Sequence, residues 1–174
     1  MLQKNPVLAR IKTGLTKRVL GELQKKAEKD PEDFAVFWDN FGAVMKEGLY
    51  EDFTYRDDLL KVVRFRSTHG DDLVSLAEYV ERMKEGQDAI YYISGDDMDK
   101  VTRSPQLEGF RKRGVEVLLL TDPVDEFWIP SVGVFETKPF KSVTRAGADL
   151  SNIKAEEKDD AAEEAKPDAK GLGT

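Results

Sequence analysis

Five aspartates at the ends of two apolar runs are the residues of this chain best placed to do chemistry. Asp96, Asp97 and Asp99 follow the run at 89–93, and Asp122 and Asp125 follow the run at 115–120. Open parallel sheets hold ligands beyond such carboxyl ends, and five carboxylates there could hold magnesium beside a phosphate. The competing reading is helix capping, because aspartate at a helix start accepts backbone N–H bonds and suits the dipole. Capping is the preferred reading. His69 is the chain's one histidine. No cysteine accompanies it, and no serine sits in a glycine-rich elbow, so a nucleophile–base pair is not legible. Neither Gly-x-x-x-x-Gly-Lys nor Gly-x-Gly-x-x-Gly occurs, which argues against an autonomous nucleotide enzyme. A second kind of chemistry is recognition. Glu126-Phe127-Trp128-Ile129-Pro130 sets two aromatics side by side on a short element. Either one of them is exposed and marks a binding surface, or both are covered where the element straddles an edge.

The elements that position these residues are read from spacing. Asn5-Pro6 caps and opens a helix, with Leu8, Ile11, Leu15, Val19, Leu20 and Leu23 as its apolar stripe and Arg10, Lys12, Lys17 and Arg18 on its remaining surface. Asp30-Pro31 repeats the start signal; Phe34, Phe37, Trp38, Phe41 and Met45 form a second stripe that Gly48 is expected to stop. A third helix is expected over 55–65, a loop at 69–72, and a short helix after Ser75. Then come a strand at 89–93, a helix opened by Ser104-Pro105, and a strand at 115–120, with Gly114 as the helix C-cap. Strand–helix–strand order implies a parallel pair with a crossover. Residues 134–136 and 140–143, joined around Lys138-Pro139, suit one more strand pair at the edge. The fold class expected is therefore α/β. A short parallel sheet is flanked by helices in three α-β-α layers and preceded by a small three-helix layer. The divisions are 1–70 (helical), 71–150 (small α/β) and 151–174 (flexible linker).

Composition narrows the partners. The net charge of −7 over 174 residues argues against a nucleic-acid binder, which carries a basic face. Residues 154–174 hold seven acids and four lysines, so they contribute −3 of that charge. With no aromatic among them they are too polar to form a core of their own. Zero cysteines exclude a disulfide framework, and with one histidine also the usual zinc sites. No apolar run reaches the ~18–20 residues of a membrane span, and a cytoplasmic location is expected. Two readings stay open at this level: a small magnesium-dependent enzyme using the strand-end acids, and an adaptor docking an acidic partner through the basic first helix.

A series of short motifs carries a resemblance across residues 1 to about 150. In order they are Leu2-Gln3 and Asn5-Pro6, Phe37-Trp38, Lys46-Glu47-Gly48, Glu51-Asp52, Leu76 with Tyr79-Val80, Arg82-Met83-Lys84-Glu85, Ile90-Tyr91-Tyr92-Ile93-Ser94-Gly95, Ser104-Pro105, Glu116-Val117-Leu118, and Thr121-Asp122-Pro123-Val124-Asp125-Glu126. Any one is weak, but the series resembles the distal middle domain of the heat-shock protein 90 chaperones, bacterial type. The resemblance implies an ATP-driven chaperone whose N-terminal domain binds ATP with magnesium and whose C-terminal domain dimerises. In that family a middle-domain loop ending in Arg-Glu-Met-Leu-Gln reaches the nucleotide. Met1-Leu2-Gln3 resembles only its end, which makes Gln3 a candidate phosphate-side contact in the full-length protein alone. The chain by itself is then expected to be no enzyme and to hold no cofactor or metal. Its partners would be unfolded or partly folded clients and the other two domains of the same protein, with neither nucleic acid nor membrane. Client binding falls on Glu126, Phe127 and Trp128, where the resemblance and the aromatic argument meet.

Overall fold

The computed structural model describes residues 5–145 and 149–155. The chain opens with helices α1 (Pro6–Lys29) and α2 (Pro31–Glu51), each carrying proline in its first turn. Asn5 accepts from the Val7 N–H and Asp30 from the Asp33 N–H, so both start signals act as expected. Helix α2 does not stop at Gly48. It runs to Glu51, and an added Cβ on Gly48 would meet Leu59 Cδ1 at 2.9 Å; the glycine permits close packing of α3 (Arg56–Val62) rather than ending the helix. The expected third helix is correspondingly short. Its last residues pass into strand β1 (Phe65–Ser67), which turns back as β2 (Gly70–Val74). This hairpin occupies the place where a loop around His69 was expected, and it straddles residue 70.

Helix α4 (Leu76–Glu81) follows under a full capping box between Ser75 and Glu78. Strand β3 (Ile90–Ser94), helices α5 (Met98–Thr102) and α6 (Glu108–Lys112), and strand β4 (Leu118–Leu120) make the crossover unit. Gly114, at φ 63, ends α6 as expected of a C-cap. Helix α7 (Asp125–Val132) leads to β5 (Val134–Phe135) and β6 (Lys138–Ser142). Their tight turn is at Glu136 and Thr137, both at positive φ, and not at Lys138-Pro139.

The fold is α/β, with one six-stranded sheet in the order β2-β1-β4-β3-β6-β5. Strands β4, β3 and β6 are mutually parallel; the β1–β2 and β5–β6 hairpins add antiparallel edges. The sheet is thus wider and more mixed than the parallel pair alone. β4 is central and buried on both faces, which is why it reads as an unbroken leucine run. Two apolar clusters lie on its two sides. One joins Leu118 and Leu120 to Phe34, Trp38, Leu49, Leu60, Phe65 and Trp128 from the helices, β1 and α7. The other joins Tyr91, Ile93 and Leu119 to Val101, Leu107 and Phe110. Leu150 and Ile153 close that second cluster, so residue 153 belongs to the core although a linker was expected from 151. The remainder of the expected linker, from 156, lies outside the described residues.

The helical stripe of α1 behaves differently from expectation. Leu20 and Ala27 are buried, while Leu8, Ile11, Leu15 and Val19 stand exposed. The packing that holds α1 therefore comes from its second half. Between the layers, Glu116 takes a bidentate bond from Arg82 (3.0 Å each) and one from Ser67 Oγ (2.6 Å). The Tyr79 hydroxyl donates to the Glu116 carbonyl and accepts from the Tyr91 N–H; burial pushes its pKa well above the usual value.

Candidate functional site

The loop after β4 is built around a buried charge. Asp125 is 1% exposed, and its two oxygens are fully engaged. Oδ2 accepts the Asp122 N–H at 3.0 Å, and Oδ1 accepts the Trp128 indole N–H at 2.7 Å. Lys46, reaching up from α2 and only 5% exposed, places its ammonium 2.9 Å from Asp125 and 2.8 Å from Asp122. The same ammonium lies 5.4 Å from the Phe65 ring centre. This cluster fixes the first turn of α7 against α2.

The indole it holds goes inward. Trp128 is fully buried, stacked on Phe65 with centroids 5.4 Å apart and edge-on to Phe140 at 5.3 Å. Successive residues of a helix point about 100° apart, so with Trp128 inside, Phe127 must leave the core. It is 62% exposed, and Glu126 beside it is exposed too. Of the three expected client contacts, two lie on the surface. The third, Trp128, is beneath it and supports them.

A ring that sequence reasoning missed stands next to Phe127. Tyr50, near the end of α2, lies with its centroid 6.0 Å from Phe127. Burial, then the nearby Glu47 and Glu51 carboxylates, raises the Tyr50 hydroxyl pKa. Arg56 ties the same ends together. Its guanidinium donates to the Leu49 carbonyl (2.9 Å), the Ser131 carbonyl (3.1 Å) and Ser131 Oγ (2.6 Å), and lies 4.0 Å over the exposed Phe53 ring. The result is a ring pair, Phe127 exposed and Tyr50 half-buried, on a support cross-linked by polar bonds, an arrangement able to seat an apolar side chain.

Of the strand-end acids, Asp97 alone is seen to cap a helix among the described residues, and α7 has no side-chain cap. Asp97 accepts the Lys100 N–H that opens α5, and Asp122 and Asp125 are held by Lys46. Among the described residues no group of three or more His, Asp or Glu side chains is placed to hold a metal ion, so the magnesium-enzyme reading gains no support. Docking of an acidic partner on the first helix gains none either. His69 lies in the β1–β2 turn, its N–H on Ser67 Oγ. Gln3 falls outside the described residues. Lys46 was legible in principle: it falls on the face set by Phe34, Trp38, Gly42 and Leu49, all buried, and a lysine at such a position needs an acidic partner.

An aromatic pair at the surface of an α/β scaffold is a feature that protein recognition can use. The family model described as Hsp90 protein matches residues 1–173, and the chain belongs to the Hsp90 family. It is 59% identical over 170 residues to Chaperone protein HtpG of Paramagnetospirillum magneticum, a match covering 97% of this chain and 27% of that protein. The protein of the same name from Roseobacter denitrificans is 60% identical over 174 residues, covering 99% of this chain and 28% of its own length. That from Rhizobium meliloti is 54% identical over 170 residues, covering 97% and 27%. The chain thus spans little more than a quarter of the length of the curated relatives it matches. Membership corrects one expectation. The chain was expected to be no enzyme, on the ground that parts of an ATP site fall outside it. It belongs instead, over 1–173, to a family of ATP-hydrolysing chaperones with relatives at 59% and 60% identity, and the exclusion does not stand.

Proposed function

We propose that this chain is a middle-domain segment of an ATP-dependent, cytoplasmic Hsp90-type chaperone, and that it contributes a docking surface for unfolded or partly folded client proteins. ATP with magnesium, and dimerisation through a further domain, belong in this reading to the whole protein, whose cycle the segment serves through interdomain contacts. The observation that carries the reading is Phe127. A large apolar ring is 62% exposed on a helix whose inner side is locked by Trp128, Asp125 and Lys46. Exposed aromatics held rigidly lose little entropy on binding, which makes them effective anchors. No helix among the described residues is long and apolar enough to cross a membrane.

The test is binding of a dye-labelled, permanently unfolded protein, followed by anisotropy, to the parent chain and to Phe127→Ser. The substitution is at an exposed position, so stability should move by no more than about 0.5 kcal/mol. Binding that weakens about tenfold or more supports the reading; equal binding by a correctly folded Phe127→Ser chain removes it.

A further inference from the structure

We propose that the Tyr50–Phe127 surface selects basic client segments, taking a large apolar side chain on the two rings and lysine or arginine on the carboxylates around them. The inference rests on the client-docking reading of the same surface and names the class of segment it takes. Tyr50 and Phe127 come from different helices and meet at 6.0 Å, so they form one apolar seat rather than two isolated rings. Around it lie Glu47 and Glu51, both exposed and near enough to Tyr50 to raise its hydroxyl pKa, and the exposed Glu126. None of these three carboxylates is ion-paired among the described residues. The cations close by are already committed: Lys46 is buried against Asp122 and Asp125, and Arg56 is bound to Leu49 and Ser131 across the Phe53 ring. The chain as a whole carries −7. An acidic rim around an apolar seat leaves affinity to the rings and hands discrimination and encounter rate to the charges.

The experiment uses two labelled, disordered peptides of equal length, each with one central phenylalanine, one flanked by lysines and the other by glutamates. Three surface charge contacts, each worth up to about fivefold, predict that the lysine-flanked peptide binds about tenfold tighter at low salt. At 0.5 M salt the gap should shrink to about twofold, since the screening length falls below ~5 Å. It should shrink likewise in the triple variant Glu47→Gln, Glu51→Gln, Glu126→Gln, whereas Tyr50→Ala should weaken both peptides alike. Circular dichroism checks that each variant is folded. Equal affinity for the two peptides, with both lost in Phe127→Ser, would overturn the charge selection and leave client docking standing. A lysine preference that survives the triple variant would also overturn it, because the attraction would then lie elsewhere. Binding of neither peptide, nor of an unfolded protein, would overturn both.

Discussion

Replacing Lys46 by methionine removes one charge and almost no volume. Its ammonium meets Asp125 at 2.9 Å and Asp122 at 2.8 Å, with side chains 6% exposed for Lys46, 1% for Asp125 and 44% for Asp122. Asp122 can turn to water, but Asp125 cannot. Breaking a buried pair costs about 3–5 kcal/mol, because the remaining ion is left without its counter-charge. Asp125 keeps the Trp128 indole N–H and the Asp122 N–H, which places Lys46→Met near the lower end, about 3 kcal/mol. At roughly 2–4 °C per kcal/mol for a chain of this size, Tm should fall by about 6–12 °C. Urea unfolding read by tryptophan fluorescence is the assay, since Trp128 sits on the affected cluster. The double variant Lys46→Met with Asp125→Asn removes both charges while keeping an acceptor for the indole. It should recover at least about 1.5 kcal/mol relative to the sum of the two single losses. A Lys46→Met chain within about 0.5 kcal/mol of the parent, or strictly additive losses, would refute the buried-pair argument.

Three further outcomes follow from the same packing. Gly42→Ala should destabilise by about 1–3 kcal/mol, because its Cβ would meet Trp38 Cε2 at 2.7 Å, whereas Gly21→Ala, with nothing within 4 Å, should stabilise by up to about 1 kcal/mol; thermal melts that rank them the other way would contradict this. Glu136→Asn with Thr137→Gly should raise stability by about 1–2 kcal/mol, since both positions have positive φ, Thr137 is β-branched, and Asn-Gly suits such a hairpin turn; an unchanged urea midpoint would contradict it. The Asp52 carboxylate accepts the Thr54 N–H at 2.9 Å, and that bond holds its pKa below the 3.8 of a free aspartate. Its contribution to the local turn is therefore present above pH 3.8 and lost as pH falls through the lowered value; a carboxyl NMR midpoint at or above 3.8 would disprove the bond.

Local signals were the legible ones. Asn5-Pro6, Asp30-Pro31, Ser75 and Gly114 each fix a helix end through groups one to three residues away, and each appears where its chemistry puts it. The leucine run of β4 was legible because a strand covered on both faces has no polar side. What depended on distant partners was not. The β1–β2 hairpin is carried by Arg66, Ser67, Gly70, Asp71 and Asp72, whose polarity reads as loop because β2 is an edge strand largely in solvent. Gly48 looked like a terminator only without Leu59 beside it. The exposed stripe of α1 shows the converse: periodicity says which residues share a face, not whether anything covers it. At the site, Glu126, Phe127 and Trp128 are legible as an aromatic pair with its neighbour, but which ring turns inward is decided by Asp125 and by Lys46, which lies 79 residues earlier and meets Asp125 only through the fold. Tyr50 reaches Phe127 in the same way, and no local pattern joins them.

The most direct test is a backbone NMR titration of this chain with an unfolded model protein. The account predicts shifts clustered at Glu126 and Phe127 and, across the helix junction, at Glu47, Tyr50 and Glu51, with Trp128 indole changes small. Shifts absent from this cluster at near-millimolar client, or centred on another face, would contradict the docking surface.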